Sequence, residues 1–135
     1  MPALPRVDRR PAEPSAEYVV MASRLPLRSH RSVPRFLLDT LRIRRQLADA
    51  PGLVSYALKA DLARKTFWTY SVWADESSLA AFAATDPHRQ IVVRLQPLMG
   101  STRFSTNRIL GADLPTTWDE MTAPLEAAST DGARS

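Results

Sequence analysis

The sequence has no cysteine, two histidines, four glycines and only two lysines, Lys59 and Lys65, among its 18 basic residues. Without cysteine there is no disulfide, thiolate metal site or cysteine nucleophile. His30 and His88 lie far apart, so a His-rich metal centre within one chain is not expected. No apolar run approaches the ~20 residues that a membrane span requires. The N-terminus also lacks the apolar core of a signal peptide, so a cytoplasmic location is expected. Gly-rich phosphate loops, Walker and Rossmann patterns, paired-carboxylate spacings and Ser-His-Asp spacings are all absent, which removes those enzyme classes. The net charge of +4 comes from arginines spread from Arg6 to Arg134. Neither a basic stripe nor a nucleic-acid motif accompanies them, so no nucleic-acid partner is expected.

A chain of 135 residues is large enough for one self-sufficient core. Residues 1–17 hold four prolines and no apolar period, and read as a flexible arm. Residues 126–135 read as a disordered tail, which leaves a folded domain over 18–125. Tyr18 to Arg24 is rich in β-formers and predicts a first strand. Ser32 is a candidate N-cap, with Pro34 in the first turn of a helix. That helix carries Val33, Phe36, Leu37, Leu41, Leu47 and Ala48 on one side, and Arg35, Asp39, Arg42, Gln46 and Asp49 on the other. Pro51-Gly52 ends it. Leu53 to Asp61 and Thr66 to Ala74 predict a hairpin. Asp75 caps a helix bearing Leu79, Phe82 and Ala83. Asp86-Pro87 begins another, with Ile91, Val92, Leu95 and Leu98 inward. Ser101 to Leu110 is a last strand, and the segment around Trp118 a short capping turn or helix.

This order is the βαββαβ pattern of an α+β, ferredoxin-like fold, with a four-stranded antiparallel sheet and helices on one face. Within the third strand, "FWTYSVW", alternation puts Phe67 and Trp73 on one face and Trp68 and Tyr70 on the other. Aromatics on the second face call for a cover, and an identical sheet is the expected one. A homodimer through Trp68 and Tyr70, a dimeric α/β barrel, follows as an expectation.

The segment "FWTYSVWADESSLAAFAATDPHR" resembles the dimeric α+β-barrel superfamily, which includes antibiotic-biosynthesis monooxygenases, haem-degrading monooxygenases and spheroidene monooxygenase. The stretches "RSVPRFLLDTLRIRRQL", "PGLVSYALKADLARKTFWTYSVW" and "LPTTWDEM" are similar to bacterial proteins related to the last of these. The resemblance spans about Tyr18 to Leu125. It implies a pocket between the helices and the sheet for a small hydrophobic substrate, polycyclic or isoprenoid. It further implies either cofactor-free oxidation or a haem. At the positions where haem degraders carry a Trp and a ligating His, this chain has Phe82 and Val92.

His88 is the candidate catalytic residue. It precedes Ile91 and Val92 by three and four residues and sits in the first turn of its helix, whose dipole disfavours imidazolium. A neutral imidazole there could serve as base, hydrogen-bond donor or haem ligand. Trp73, Phe82 and Phe36 are candidate pocket walls, and Ser71 and Asn107 candidate polar contacts. Arg24, with Arg28, His30 and Arg31 on the following loop, could meet a carboxylate or a haem propionate. The competing expectation is a non-catalytic barrel that binds a small ligand or acts as a dimeric scaffold.

Overall fold

In the computed structural model, which describes residues 6–127, one antiparallel sheet runs in the order β1-β3-β4-β2-β5. Its strands are β1 (Val7–Asp8), β2 (Glu17–Pro26), β3 (Leu53–Asp61), β4 (Thr66–Trp73) and β5 (Arg103–Leu110). The helices are α1 (Val33–Ala48), α2 (Glu76–Ala84), α3 (His88–Leu95) and α4 (Trp118–Ala127). The last four strands with α1 to α3 make the expected βαββαβ unit. The sheet has five strands rather than four. β1 is only two residues long, too short to show alternation, and pairs Val7 with Tyr56. Beyond it, the Arg9 and Arg10 amides donate to the Val54 carbonyl, and the Glu13 amide donates to the Tyr18 hydroxyl. Of the expected arm and tail, residues 1–5 and 128–135 lie outside the described residues.

Local chemistry explains most boundaries. Asp75 caps α2, accepting from the Ser78 amide at 2.7 Å and the Ser77 hydroxyl at 2.9 Å, and these bonds hold its carboxyl below the usual range. Gly52 follows α1 with φ +81°, and a Cβ there would strike Ser78. Ser32 is not the expected cap. Its own backbone is helical, and Ser29 caps instead, accepting from the Arg31 amide at the head of a 3-10 turn that leads into α1.

Side chains on β4 alternate as the pleat requires. Phe67 and Trp73 face α1 to α3, while Trp68, Tyr70 and Val72 face away. The away face is covered by the chain itself. Met121 and Leu125 of α4 are buried against Tyr18, Val20, Ala22, Val54, Ala57, Tyr70 and Val72. Burying this set removes apolar surface of β2, β3, β4 and α4 from water together, which holds α4 on the sheet. The expectation that a second copy must supply the cover is therefore corrected: Tyr70 is 4% exposed within one chain.

The helical face also departs from the simple apolar period. On α1 the buried side chains are Phe36, Asp39 and Leu47, while Leu37, Leu38 and Leu41 are exposed. On α3, Ile91 and Leu95 are buried, whereas Val92, Val93 and, in the 3-10 turn that follows, Leu98 are exposed. The cause lies at Asp39, 1% exposed and facing three guanidiniums. Arg94 of α3 reaches its Oδ1 at 2.5 Å, with Arg35 and Arg42 at 3.6 and 3.8 Å. Neither carboxylate oxygen takes an aligned hydrogen bond, so charge rather than hydrogen-bond geometry holds the group. Turning Asp39 inward rotates Leu37 and Leu41 outward.

Candidate functional site

His88 opens α3 directly after the junction with α2. Gln46 of α1 fixes that junction: its Oε1 accepts from the His88 amide at 3.0 Å, and its Nε2 donates to the Phe82 and Thr85 carbonyls at 3.3 and 3.2 Å. The His88 ring lies 4.9 Å from the Phe82 ring, and Phe82 lies 5.2 Å from Trp73. Its Nδ1 is 3.1 Å from the Ala83 carbonyl. A carbonyl can only accept, so Nδ1 carries the proton of the neutral ring and Nε2 is left as an acceptor. Burial pushes the His88 pKa below its ordinary value, opposed in part by the Ala83 bond, which favours the protonated ring.

Trp73 is the largest fully buried side chain, and its indole Nε1 donates to Ser71 Oγ at 2.9 Å. His88, Phe82, Trp73 and Ser71 thus form one continuous row from the head of α3 to the centre of the sheet. Phe36 belongs to a neighbouring cluster, stacked 4.2 Å from Phe67 with Ile91 and Leu95. These contacts fill the expected space between the helices and the sheet.

Two of the expected contact residues lie elsewhere. Asn107 is paired with Val20, which puts it on the α4 face, where it donates to Ser105. Arg24, paired with Trp68 and Arg103, also projects to that face. Strand parity decides both, since Asn107 and Arg24 are out of phase with Ser71 and Trp73. In the loop after β2, Arg28 donates to the Met99 carbonyl, and His30 Nε2 lies against the Ala63 carbonyl. That loop is tied down by backbone contacts rather than gathered into an anion site.

A haem does not fit the helical face. Phe36, Phe67, Trp73, Phe82 and Ile91 occupy the space, and Val92 has no ligating atom. Among the described residues, no three His, Asp or Glu side chains group as metal ligands.

Sequence reasoning missed Gln46, whose role depends on the α1 to α3 approach, and Lys59. Lys59 Nζ sits 4.9 Å from the Trp68 ring centroid and 5.6 Å from that of Trp118. Only the same-face pairing of Lys59 with Trp68 could have indicated it, and α4 then brings Trp118.

Residues 33–94 match the family model described as antibiotic biosynthesis monooxygenase. Solved structures share the fold at low identity. A conserved protein from Methanosarcina mazei Go1 is 16% identical, with a TM-score of 0.61 over 69% of this chain and 93% of that one. SnoaB, a cofactor-independent oxygenase from Streptomyces nogalater, is 16% identical, with a TM-score of 0.56 over 76% and 98%. A structure described as an antibiotic biosynthesis monooxygenase is 13% identical, with a TM-score of 0.59 over 66% and 95%. No curated protein matches in sequence. The sheet, its helical cover and these matches define an α+β protein of ferredoxin-like type. Over residues 33–94 the chain is similar to the antibiotic biosynthesis monooxygenase family, and the solved structures share its fold.

Proposed function

We propose that the protein is a monooxygenase-like enzyme that oxidises a small hydrophobic, flat substrate with O₂, with His88 as the base. The observation that carries this reading is the neutral ring at the end of the Phe82–Trp73 row, its Nδ1 engaged and its Nε2 open. Such a nitrogen can take a proton from an acidic C–H or phenol and leave an electron-rich ring that O₂ oxidises. At a methylene the balance closes without an outside reductant: CH₂ becomes C=O, and the second oxygen atom leaves as water with both hydrogens. Substrate entry requires Phe82 to swing from Trp73. Phe82 is only partly buried, and its helix α2 has no fully buried residue to pin it.

A second reading, a non-catalytic ligand-binding or scaffold protein, is favoured by the filled helix–sheet interface. Oxygen uptake with anthrone, a three-ring methylene ketone, separates the two. The enzyme reading expects uptake matched to quinone formation, and a loss of about 10²-fold or more in kcat in His88→Asn. Uptake no faster than uncatalysed autoxidation, with anthrone and with a linear isoprenoid alike, would leave the ligand-binding reading. The working unit is proposed to be a cytoplasmic homodimer, joined at the outer strand β5, where Phe104 and Leu110 stay exposed. Sedimentation velocity of Phe104→Asp against the wild type tests it: a monomer is expected for the variant alone.

A further inference from the structure

We propose that the sheet face beneath α4 carries a separate binding site for a small flat aromatic anion, a carboxylate or a phenolate. This site lies on the opposite side of the sheet from His88 and does not depend on the oxidative reading.

A cleft of about 380 Å³, within the range of small-ligand pockets, opens there between Arg6, Asp8, Ala57, Thr116, Trp118 and Met121. Ala57 forms its floor, and a small residue in mid-strand leaves room for a planar body. The Trp118 indole forms a wall on which a ring can stack. Lys59 is held beside that wall, its ammonium over the Trp68 and Trp118 rings. Among the described residues Lys59 has no carboxylate partner, whereas Arg6 at the rim is paired with Asp8 at 3.0 Å. Arg6 is answered by Asp8, and the Glu120 carboxylate at the adjoining hollow is engaged by Thr116 and Thr117, which leaves Lys59 as the cation beside the aromatic wall with no carboxylate partner among the described residues. An ammonium already partly stripped of water by two indoles gains more from an anion than a fully solvated one would.

An independent observation points the same way. Tyr70 is paired across the sheet with Ala57, is 4% exposed, and its hydroxyl has no hydrogen-bond partner. Buried hydroxyls are normally satisfied, so this donor calls for a partner, either a ligand oxygen or a water that bridges to one. It lines a second, water-sized hollow of about 20 Å³ under α4, together with Ser105, Asn107 and Glu120, and Met121 borders both hollows. Burial pushes the Tyr70 phenol up, so it stays protonated and can donate, to the ligand's oxygen or to one bridging water. Met121, unbranched and flexible, is the side chain best able to yield between the two.

The test uses the full chain with 2-naphthoate as probe and naphthalene-2-carboxamide as its neutral counterpart. Binding is followed by calorimetry and by the three tryptophan indole N–H resonances in NMR. Naphthoate should bind more tightly than the amide by about tenfold, weaken with added salt, and shift Trp118 and Trp68 but not Trp73. Lys59→Met keeps the stem and removes the charge; it should cost naphthoate about tenfold and leave the amide unchanged. Tyr70→Phe should weaken both probes several-fold, with the fold checked by its thermal midpoint. A shift at Trp73 instead, equal affinity for both probes, or naphthoate affinity indifferent to Lys59→Met would overturn the proposal. So would no binding of either probe at millimolar concentration. None of these outcomes bears on anthrone oxidation, so the two readings fail separately.

Discussion

The side-chain amide of Gln46 accepts from the backbone of His88 while donating to the carbonyls that close α2, so one residue of α1 sets where α3 begins. α3 has no side-chain cap of its own, and Gln46 performs that role from another helix. The position of the candidate base therefore depends on a residue 42 positions earlier.

Gln46→Ala should lower stability by about 1–3 kcal/mol, because it leaves partly buried backbone groups unpaired. Gln46→Glu keeps the acceptor for the His88 amide but loses both donors, and should fall between the two. Urea unfolding monitored by tryptophan fluorescence checks the order. If Gln46→Ala matches the wild type, the junction is held by something else.

The pH dependence of stability should carry a His88 signature. Burial lowers its folded-state pKa, so between that value and the unfolded value of about 6.5 the unfolded chain binds more protons. Stability from this group is complete above about pH 6.5 and declines as pH falls through the lower folded value. Urea midpoints from about pH 5 to 8, wild type against His88→Asn, should converge or cross on the acid side. Parallel curves would contradict the burial of the ring.

Asp39→Ala should destabilise by about 2 kcal/mol, below the ~3–5 kcal/mol for breaking a fully buried pair, because the three arginines are half exposed and screened. Replacing Asp39 and Arg94 together by leucine should recover most of the loss. A double-mutant cycle in guanidinium chloride would be the wrong choice, since the salt screens the pair; urea is the right one.

The apolar residues of α1 should separate sharply. Phe36→Ala empties a site stacked on Phe67 and should cost about 3–5 kcal/mol. Leu41→Ala, at a position 53% exposed, should change stability by less than about 0.5 kcal/mol. Equal losses would mean that Leu41 is covered in solution, which equilibrium sedimentation would then reveal as self-association.

The sequence alone determined the element order and the division of β4. Strand alternation has a fixed period of two, so Phe67 and Trp73 could not share a face with Trp68 and Tyr70. The caps at Asp75 and Gly52 were legible for the same local reason. Helix facing was less so: four leucines and one aspartate on α1 admit two orientations, and only Arg94, brought from α3, makes the inward Asp39 tolerable. The candidate site was half legible. His88, Phe82, Trp73 and Ser71 came together, but Asn107 and Arg24 went to the other face, because strand register across three pairings is set by long-range contacts. The cover of Tyr70 was a tertiary decision too. α4 has weak amphipathicity and a proline at position 124, and nothing local requires it to fold back over β2 and β5. It does so because the apolar face of the sheet has to be removed from water, and within one chain α4 is close enough to do it.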